Sequence, residues 1–353
     1  MIMNKNIFDT INRVYEALSD DKSKRVFLAR LDYLFNGNKN KFFEWFLNEN
    51  ETICCPELDK YENGKQKKYI IFGAGLEGKR THKILTASGR AVYAWCDNNR
   101  KLWGKNIGGS CVLSPGELLH THNDATVIIS VSRCLLDIYQ QLLILGFPRQ
   151  NIFIPENGFL LGTAGWQYFD VFEPEKQEVF IDAGCWNGMT TKEFVDWCKG
   201  DYNKIYAFEP DCICWQTCEN TFEREHIMNV RLIKKGTWKT EGDLHFKGNG
   251  IGDSMILTED ISSALIPVTS IDRVLKGERV SFIKMDVEGS ELETLSGGRE
   301  SIQKYKPKLA VSVYHKPQDL WKLADYILEI HPDYKLFMRH YTTCNFETVL
   351  YAI

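Results

Sequence analysis

The side chains best placed to do chemistry stand at the ends of apolar runs. Asp182 closes "EVFIDAG" and is followed by Gly184 and Gly188; Glu209 closes "KIYAFEP"; Asp286 closes "VSFIKMD" and opens "DVEG"; His315 closes "KLAVSVYH"; His340 lies in "YKLFMRHYT". A second set is formed by Gly73, Gly75 and Gly78 in "IIFGAGLEGKR", with Asp97 ending the next apolar run, "VYAWCD". A strand that runs through a glycine turn into a helix offers backbone N–H groups to a ligand. An acid at the end of the following strand can accept hydrogen bonds from both hydroxyls of a ribose. The two loops differ in charge. Gly73–Gly78 has the spacing of a dinucleotide loop, although a tight turn that binds nothing would need the same glycines. In the other, a carboxylate at Asp182 would repel a diphosphate and favour a ligand that carries a sulfonium and an ammonium group.

Those two cationic groups and a ribose occur together in S-adenosylmethionine, which places Asp182, Gly184, Gly188 and Glu209 at a donor site. Beyond "VRLIKK" come Gly236, Thr237 and Trp238, with no acid to take an adenine amino group, so that contact falls to backbone or to Thr237. Methyl transfer to a hydroxyl is an in-line displacement that depends on positioning and is helped by a base. In a doubly wound sheet ligands sit at the carboxyl ends of the strands, which selects Asp286, His315 and His340. His315 is the expected base, because imidazole titrates near neutrality and a strand-end histidine has little packing purpose; hydrogen bonding to a loop is its other reading. Asp286 is expected to position the acceptor, and His340 to line the pocket, with Glu347 facing the same rim. Asp286, Glu288 and Glu291 could instead hold a divalent cation, but no second metal-ligand motif is visible and no metal is assigned.

These residues need three kinds of support. Residues 1–66 carry helical periodicity in "IFDTINRVYEAL", "RVFLARLDYLF" and "FFEWFL", a helical preface that ends in the polar link "YENGKQKK". Residues 67–157 alternate strands and helices as one half of a doubly wound sheet. Residues 158–353 repeat that alternation and end with "YKLFMRHYT" and "ETVLYAI", joined by a turn too short for a crossover helix, so these strands should be antiparallel. The fold class expected is α/β: a mostly parallel sheet with a reversed last strand, as in class I methyltransferases, preceded by a smaller Rossmann-like domain.

The 353 residues suit two domains and an appendage, and their formal net charge of −4 gives no phosphate-tracking excess, so nucleic acid is not an expected partner. No apolar run approaches the roughly 20 residues that span a bilayer, and the start lacks the apolar core of a leader, so a cytoplasmic, membrane-free protein is expected. Its 11 cysteines read as reduced core residues. The spacing of Cys212, Cys214 and Cys218 has no matching half for zinc.

The motifs "VFIDAGCWNGMTT", "IYAFEPD", "IPVTSID", "IKMDVEGSELETLSGG" and "VSVYHKPQDLW" together resemble the FkbM-type methyltransferases over roughly residues 175–353. The resemblance implies a class I fold, S-adenosylmethionine as donor, and O-methylation of a sugar or other natural-product hydroxyl, with a saccharide or small molecule as partner. It places Asp182, Gly184, Gly188 and Glu209 on the donor site and Asp286, Glu288 and Gly289 on the "DVEG" motif. The first unit is similar to small nucleotide-sugar-binding domains, with Gly78 and Lys79 after "GAG"; an oligomer-forming structural role is its alternative. Two other functions stay open at this point. One is a nicotinamide-dependent sugar oxidoreductase or epimerase using the Gly73–Gly78 loop, against which stands the lack, anywhere beyond that loop, of a Tyr-x-x-x-Lys pair that would serve hydride chemistry. The other is a non-catalytic nucleotide-sugar-binding protein.

Overall fold

The computed structural model describes residues 6–62, 67–131, 133–156, 159–247, 255–257 and 264–353. Part of the polar link, residues 63–66, and Asn157 at the expected domain boundary lie outside these. The chain divides into two compact units: residues 1–38, 165–341 and 345–353 form one, and residues 39–164 with 342–344 the other. The expected helical preface is therefore not one piece, and the boundary before the catalytic half falls at 164/165.

The first unit is built on seven strands: β1 (Glu178–Ala183), β2 (Tyr202–Phe208), β3 (Val230–Ile233), β4 (Phe282–Met285), β5 (Lys308–Ser312), β6 (Leu336–His340) and β7 (Thr348–Ala352). Their order is β3-β2-β1-β4-β5-β7-β6. Every neighbouring pair from β3 to β5 is parallel, and β7 is antiparallel to both β5 and β6. This is the class I methyltransferase sheet, with its reversed last strand as expected. β1, β4, β5 and β7 are buried throughout, the mark of strands covered on both faces. Phe180, Phe194, Trp197, Phe282 and Phe169 pack together at the centre of that core.

Helices α1 (Ile7–Ala17) and α2 (Asp21–Asn36) belong to this unit. Asp20, in extended backbone, caps α2 by accepting from Ser23 N at 2.7 Å, and Gly37 ends it in the left-handed region at φ +62°. α2 lies against β6, where Ser23 Oγ accepts from Met338 N at 2.9 Å and Arg339 pairs with Asp20 at 2.6 Å. A small four-stranded sheet, Gly236–Thr237, Gly242–Lys247, Met255–Leu257 and Ala264–Thr269, is inserted between β3 and β4. The sequence reading, which ran "VRLIKKGTW" together as one strand, did not anticipate it.

The second unit holds six strands in the order 106–107, 110–113, 92–96, 69–72, 126–129 and 152–153. The central four are mutually parallel, as the alternation of strands and helices predicts. The hairpin at 106–113 and the helix Pro115–His122, which starts with a capping box between Ser114 and Glu117, are additions to the expected half-Rossmann plan. Among the described residues no helix is long and apolar enough to cross a membrane.

Candidate active site

The carboxyl ends of β1, β2, β4 and β5 meet at one edge of the large sheet. After β1 the chain turns through Gly184 at φ +81°, where a Cβ would stand 1.9 Å from the carbonyl oxygen of Asp286, so the glycine loop and the end of β4 are in direct contact. Gly188, at φ +80°, starts the following helix and would meet the Phe222 ring with any side chain. Glu209, just beyond β2, is 6% exposed. Its Oε2 accepts from Trp186 N of the loop at 2.8 Å and its Oε1 from Asp211 N at 2.7 Å. Each oxygen keeps a second lone pair for a ligand hydroxyl. Burial pushes the Glu209 carboxyl up to about 7 despite those two hydrogen bonds.

Asp182 is not the ligand-facing charge that its position suggested. It is fully buried, accepts from Thr191 Oγ1 at 2.8 Å, and is paired with Lys284 Nζ at 3.1 Å. Lys284 stands directly across from it in the β1–β4 register and also donates to the carbonyl oxygen of Gly184 at 2.6 Å. Burial opposes the charge on Lys284, but Asp182 and Asp286 outweigh it and keep the ammonium protonated. The pair neutralises Asp182 and ties the glycine loop to β4, so Asp182 shapes the donor loop from beneath. Thr237 is likewise engaged within the fold: its hydroxyl shares a 2.8 Å hydrogen bond with Thr294.

Beyond β4 the "DVEG" turn is strained, with Glu288 at φ +52° and Gly289 at φ +91°. Asp286 Oδ2 accepts from the Tyr168 hydroxyl at 2.9 Å and Oδ1 from the Tyr314 hydroxyl at 3.2 Å. Although burial pushes Asp286 up, Lys284, His315 and Tyr168 outweigh it and keep the group ionised. His315 is brought to Asp286 as expected. Its Nδ1 bonds Glu291 Oε1 at 2.8 Å, and its Nε2 lies 3.3 Å from Glu288 Oε2 and 3.5 Å from Asp286 Oδ1. Burial disfavours the imidazolium, but Glu291, Glu288 and Asp286 hold its pKa well above the ordinary histidine range. The three carboxylates favour the imidazolium, which weighs against the role of base expected from position. His340, at the end of β6, is buried and shares a 2.8 Å hydrogen bond with Thr348 Oγ1, whereas Asp286, Glu288 and His315 are grouped together. Glu347 bonds Gln167 and is pushed to about 7 by burial and by Asp286.

Residues 190–343 match the family model described as the methyltransferase FkbM domain. Over that stretch the chain matches a methyltransferase domain, a transferase of one-carbon groups, and S-adenosylmethionine is the donor expected from the sequence. The residues fit that donor: the Glu209 carboxylate is fixed by loop amides with lone pairs to spare, and the glycine loop beside it is tied at Gly184 O to Lys284. Residues 65–153 match a second family model, described as C2185-like, N-terminal. No curated protein matches the sequence. Among solved structures, the methyltransferase FkbM from Methylobacillus flagellatus KT is similar at 20% identity over 98% of this chain and 99% of that one, with a TM-score of 0.48. A putative methyltransferase from Streptococcus mutans in complex with SAH is similar at 15% identity over 51% of this chain and 90% of that one, TM-score 0.32. An rRNA methylase from Streptococcus thermophilus follows at 14% identity over 51% and 89%, TM-score 0.34.

The glycine loop of the other unit repeats the device seen at Glu209. Asp97 Oδ2 accepts from Ala74 N at 2.8 Å and Oδ1 from Asn99 N at 2.7 Å. Gly73, at φ +109°, and Gly78 are required by packing, since a Cβ at Gly78 would lie 1.8 Å from the Gly73 carbonyl oxygen. A Cβ at Gly75 would meet nothing within 4 Å.

Proposed function

We propose that the chain is an S-adenosylmethionine-dependent O-methyltransferase whose acceptor is a hydroxyl of a saccharide, a nucleotide sugar or a related glycan precursor. The observation that carries this reading is the contact between the donor loop at Gly184 and Asp286, which with Glu288 leaves carboxylate oxygens partly open at the same edge. A polyhydroxyl acceptor supplies the donors that such carboxylates accept. The acceptor oxygen attacks the methyl carbon, the carbon–sulfur bond breaks to leave the thioether, and the hydroxyl proton passes to Asp286. Asp286 is already oriented by Tyr168 and Tyr314 for that contact. Holding oxygen and methyl carbon in line supplies most of the acceleration.

The second unit is assigned the binding of a nucleotide-type group: Gly75 is required neither by backbone nor by packing, and Asp97 holds the loop amide beside it. The test is calorimetry of the full chain with S-adenosylhomocysteine, NADH and a panel of nucleotide sugars, followed by methyl transfer from labelled S-adenosylmethionine to whichever sugars bind. Binding of S-adenosylhomocysteine and labelling of a sugar oxygen are expected. NADH binding without S-adenosylhomocysteine binding would overturn the assignment in favour of redox chemistry.

A further inference from the structure

His315 is set up in an unusual way for a histidine among acids. Its side chain is 9% exposed, and Nδ1 is committed to Glu291 Oε1 at 2.8 Å, a residue itself buried at the start of the helix Glu291–Gly297. Nε2 makes no hydrogen bond in the described structure. It faces the gap between Asp286 and Glu288, whose side chains are each 23% exposed, at 3.5 and 3.3 Å and out of line for a hydrogen bond. With Nδ1–H given to Glu291, Nε2 faces that gap, and a cation entering it would displace the Nε2 proton and take up the lone pair so freed. A carboxylate that fixes the tautomer of a histidine through its far nitrogen is the usual support of a metal-binding imidazole.

The distances suit an ion. With metal–ligand lengths of about 2.0–2.2 Å, two ligands lie about 3 Å apart at right angles and about 3.4 Å apart at a tetrahedral angle. The ligand atoms of Asp286, Glu288 and His315 all lie within 4.8 Å of one another, and Nε2 stands 3.3 Å from Glu288 and 3.5 Å from Asp286, close to the tetrahedral spacing. The left-handed backbone at Glu288 turns its carboxylate toward the site at a conformational cost, and Tyr168 and Tyr314 fix that of Asp286.

We propose that Asp286, Glu288 and His315 bind a divalent first-row cation of the Mn²⁺ type, with Glu291 as the positioning residue behind His315. Two carboxylates and one imidazole combine the donors that suit Mn²⁺ with the one that suits later first-row metals, and they leave coordination positions open. The role of the ion rests on the methyltransferase reading: lying beside the donor loop, it would bind the acceptor hydroxyl and make its oxygen easier to deprotonate. Binding of the cation itself does not depend on that reading.

The test uses the full chain stripped with EDTA, titrated with Mn²⁺ and followed by electron paramagnetic resonance, with S-adenosylhomocysteine calorimetry on the same samples. Binding of one Mn²⁺ with nitrogen coupling from an imidazole is expected. Glu288→Gln, on the partly open turn, should weaken binding by at least roughly 10-fold, His315→Ala should remove the nitrogen coupling, and Glu291→Gln should keep that coupling while weakening binding roughly 10- to 100-fold. Absence of binding tighter than about 1 mM, or equal binding in folded Glu288→Gln and His315→Ala, overturns the cation site. If S-adenosylhomocysteine still binds in that case, the methyltransferase reading stands alone. Mn²⁺ binding without S-adenosylhomocysteine binding supports the site and removes the role given to it.

Discussion

Donor binding should strengthen as pH rises through neutrality, because Glu209 must be ionised to accept both ribose hydroxyls while its pKa in the free protein is about 7. For a group titrating at about 7, the ionised fraction is about one eleventh at pH 6 and about ten elevenths at pH 8, so affinity should change by about 10-fold over that interval. Burial is the main cause. Asp211 adds to the shift, and Lys284 and the two amide hydrogen bonds oppose it. The assay is calorimetric titration with S-adenosylhomocysteine from pH 6 to 8 on the wild type and on Glu209→Gln, whose profile gives the ligand's own titration for subtraction. Glu209→Gln should bind about 1–3 kcal/mol more weakly, the range for losing a hydrogen bond to a charged group, and should lack the 10-fold slope. Stability must move the other way. The carboxyl is raised from 4.5 when unfolded to about 7 when folded, so ionising it costs the fold, and apo stability should fall as pH rises across that window. A subtracted affinity that is flat with pH, or an unchanged Glu209→Gln, would refute the placement of the donor ribose.

Three further outcomes follow from the packing. Lys284→Met leaves Asp182 charged at zero exposure, which should cost about 3–5 kcal/mol in urea unfolding, with the Lys284→Met/Asp182→Asn double variant recovering part of the loss. Asp20→Ala removes the cap of α2 and should cost about 0.5–2 kcal/mol. Because Arg339 and Ser23 hold Asp20 at about 2 against the opposing effect of burial, its stabilisation is present above pH 4 and lost as pH falls through about 2, as acid titration of wild type and variant would show. Gly78→Ala should unfold or deform the first glycine loop, whereas Gly75→Ala should be stable and impair only the ligand bound there, as thermal melts with and without nucleotide sugars would reveal.

The large sheet was legible because its strands are short apolar runs ended by acids or glycines, and because the turn between His340 and Thr348 leaves no room for a crossover. The same logic placed Glu209, Asp286 and His315 at the carboxyl edge of that sheet. The charge states were not legible, since they depend on neighbours far apart in sequence: Tyr168 precedes Asp286 by more than one hundred residues, and Glu291 reaches His315 from another element. A signal for Lys284 was present and missed. A lysine inside "SFIKMD" must be buried if the run is a central strand, and a buried lysine needs an acid, which the parallel register supplies at Asp182. The inserted four-stranded sheet escaped because "LHF" and "MIL" are too short for an alternation to be counted.

Placing residues 39–164 in a unit of their own, between helices α1 and α2 and the rest of the sheet they pack on, has a consequence for synthesis. The polypeptide that forms α2 leaves the ribosome some three hundred residues before β6, the strand that supplies its hydrogen-bond partner Met338 and its ion-pair partner Arg339. During translation the intervening unit can close on its own contacts first, while α1 and α2 wait with an apolar face uncovered. A circular permutant opened between residues 38 and 39, which delivers α1 and α2 after β7, should shorten that wait and raise the yield of folded chain at high expression.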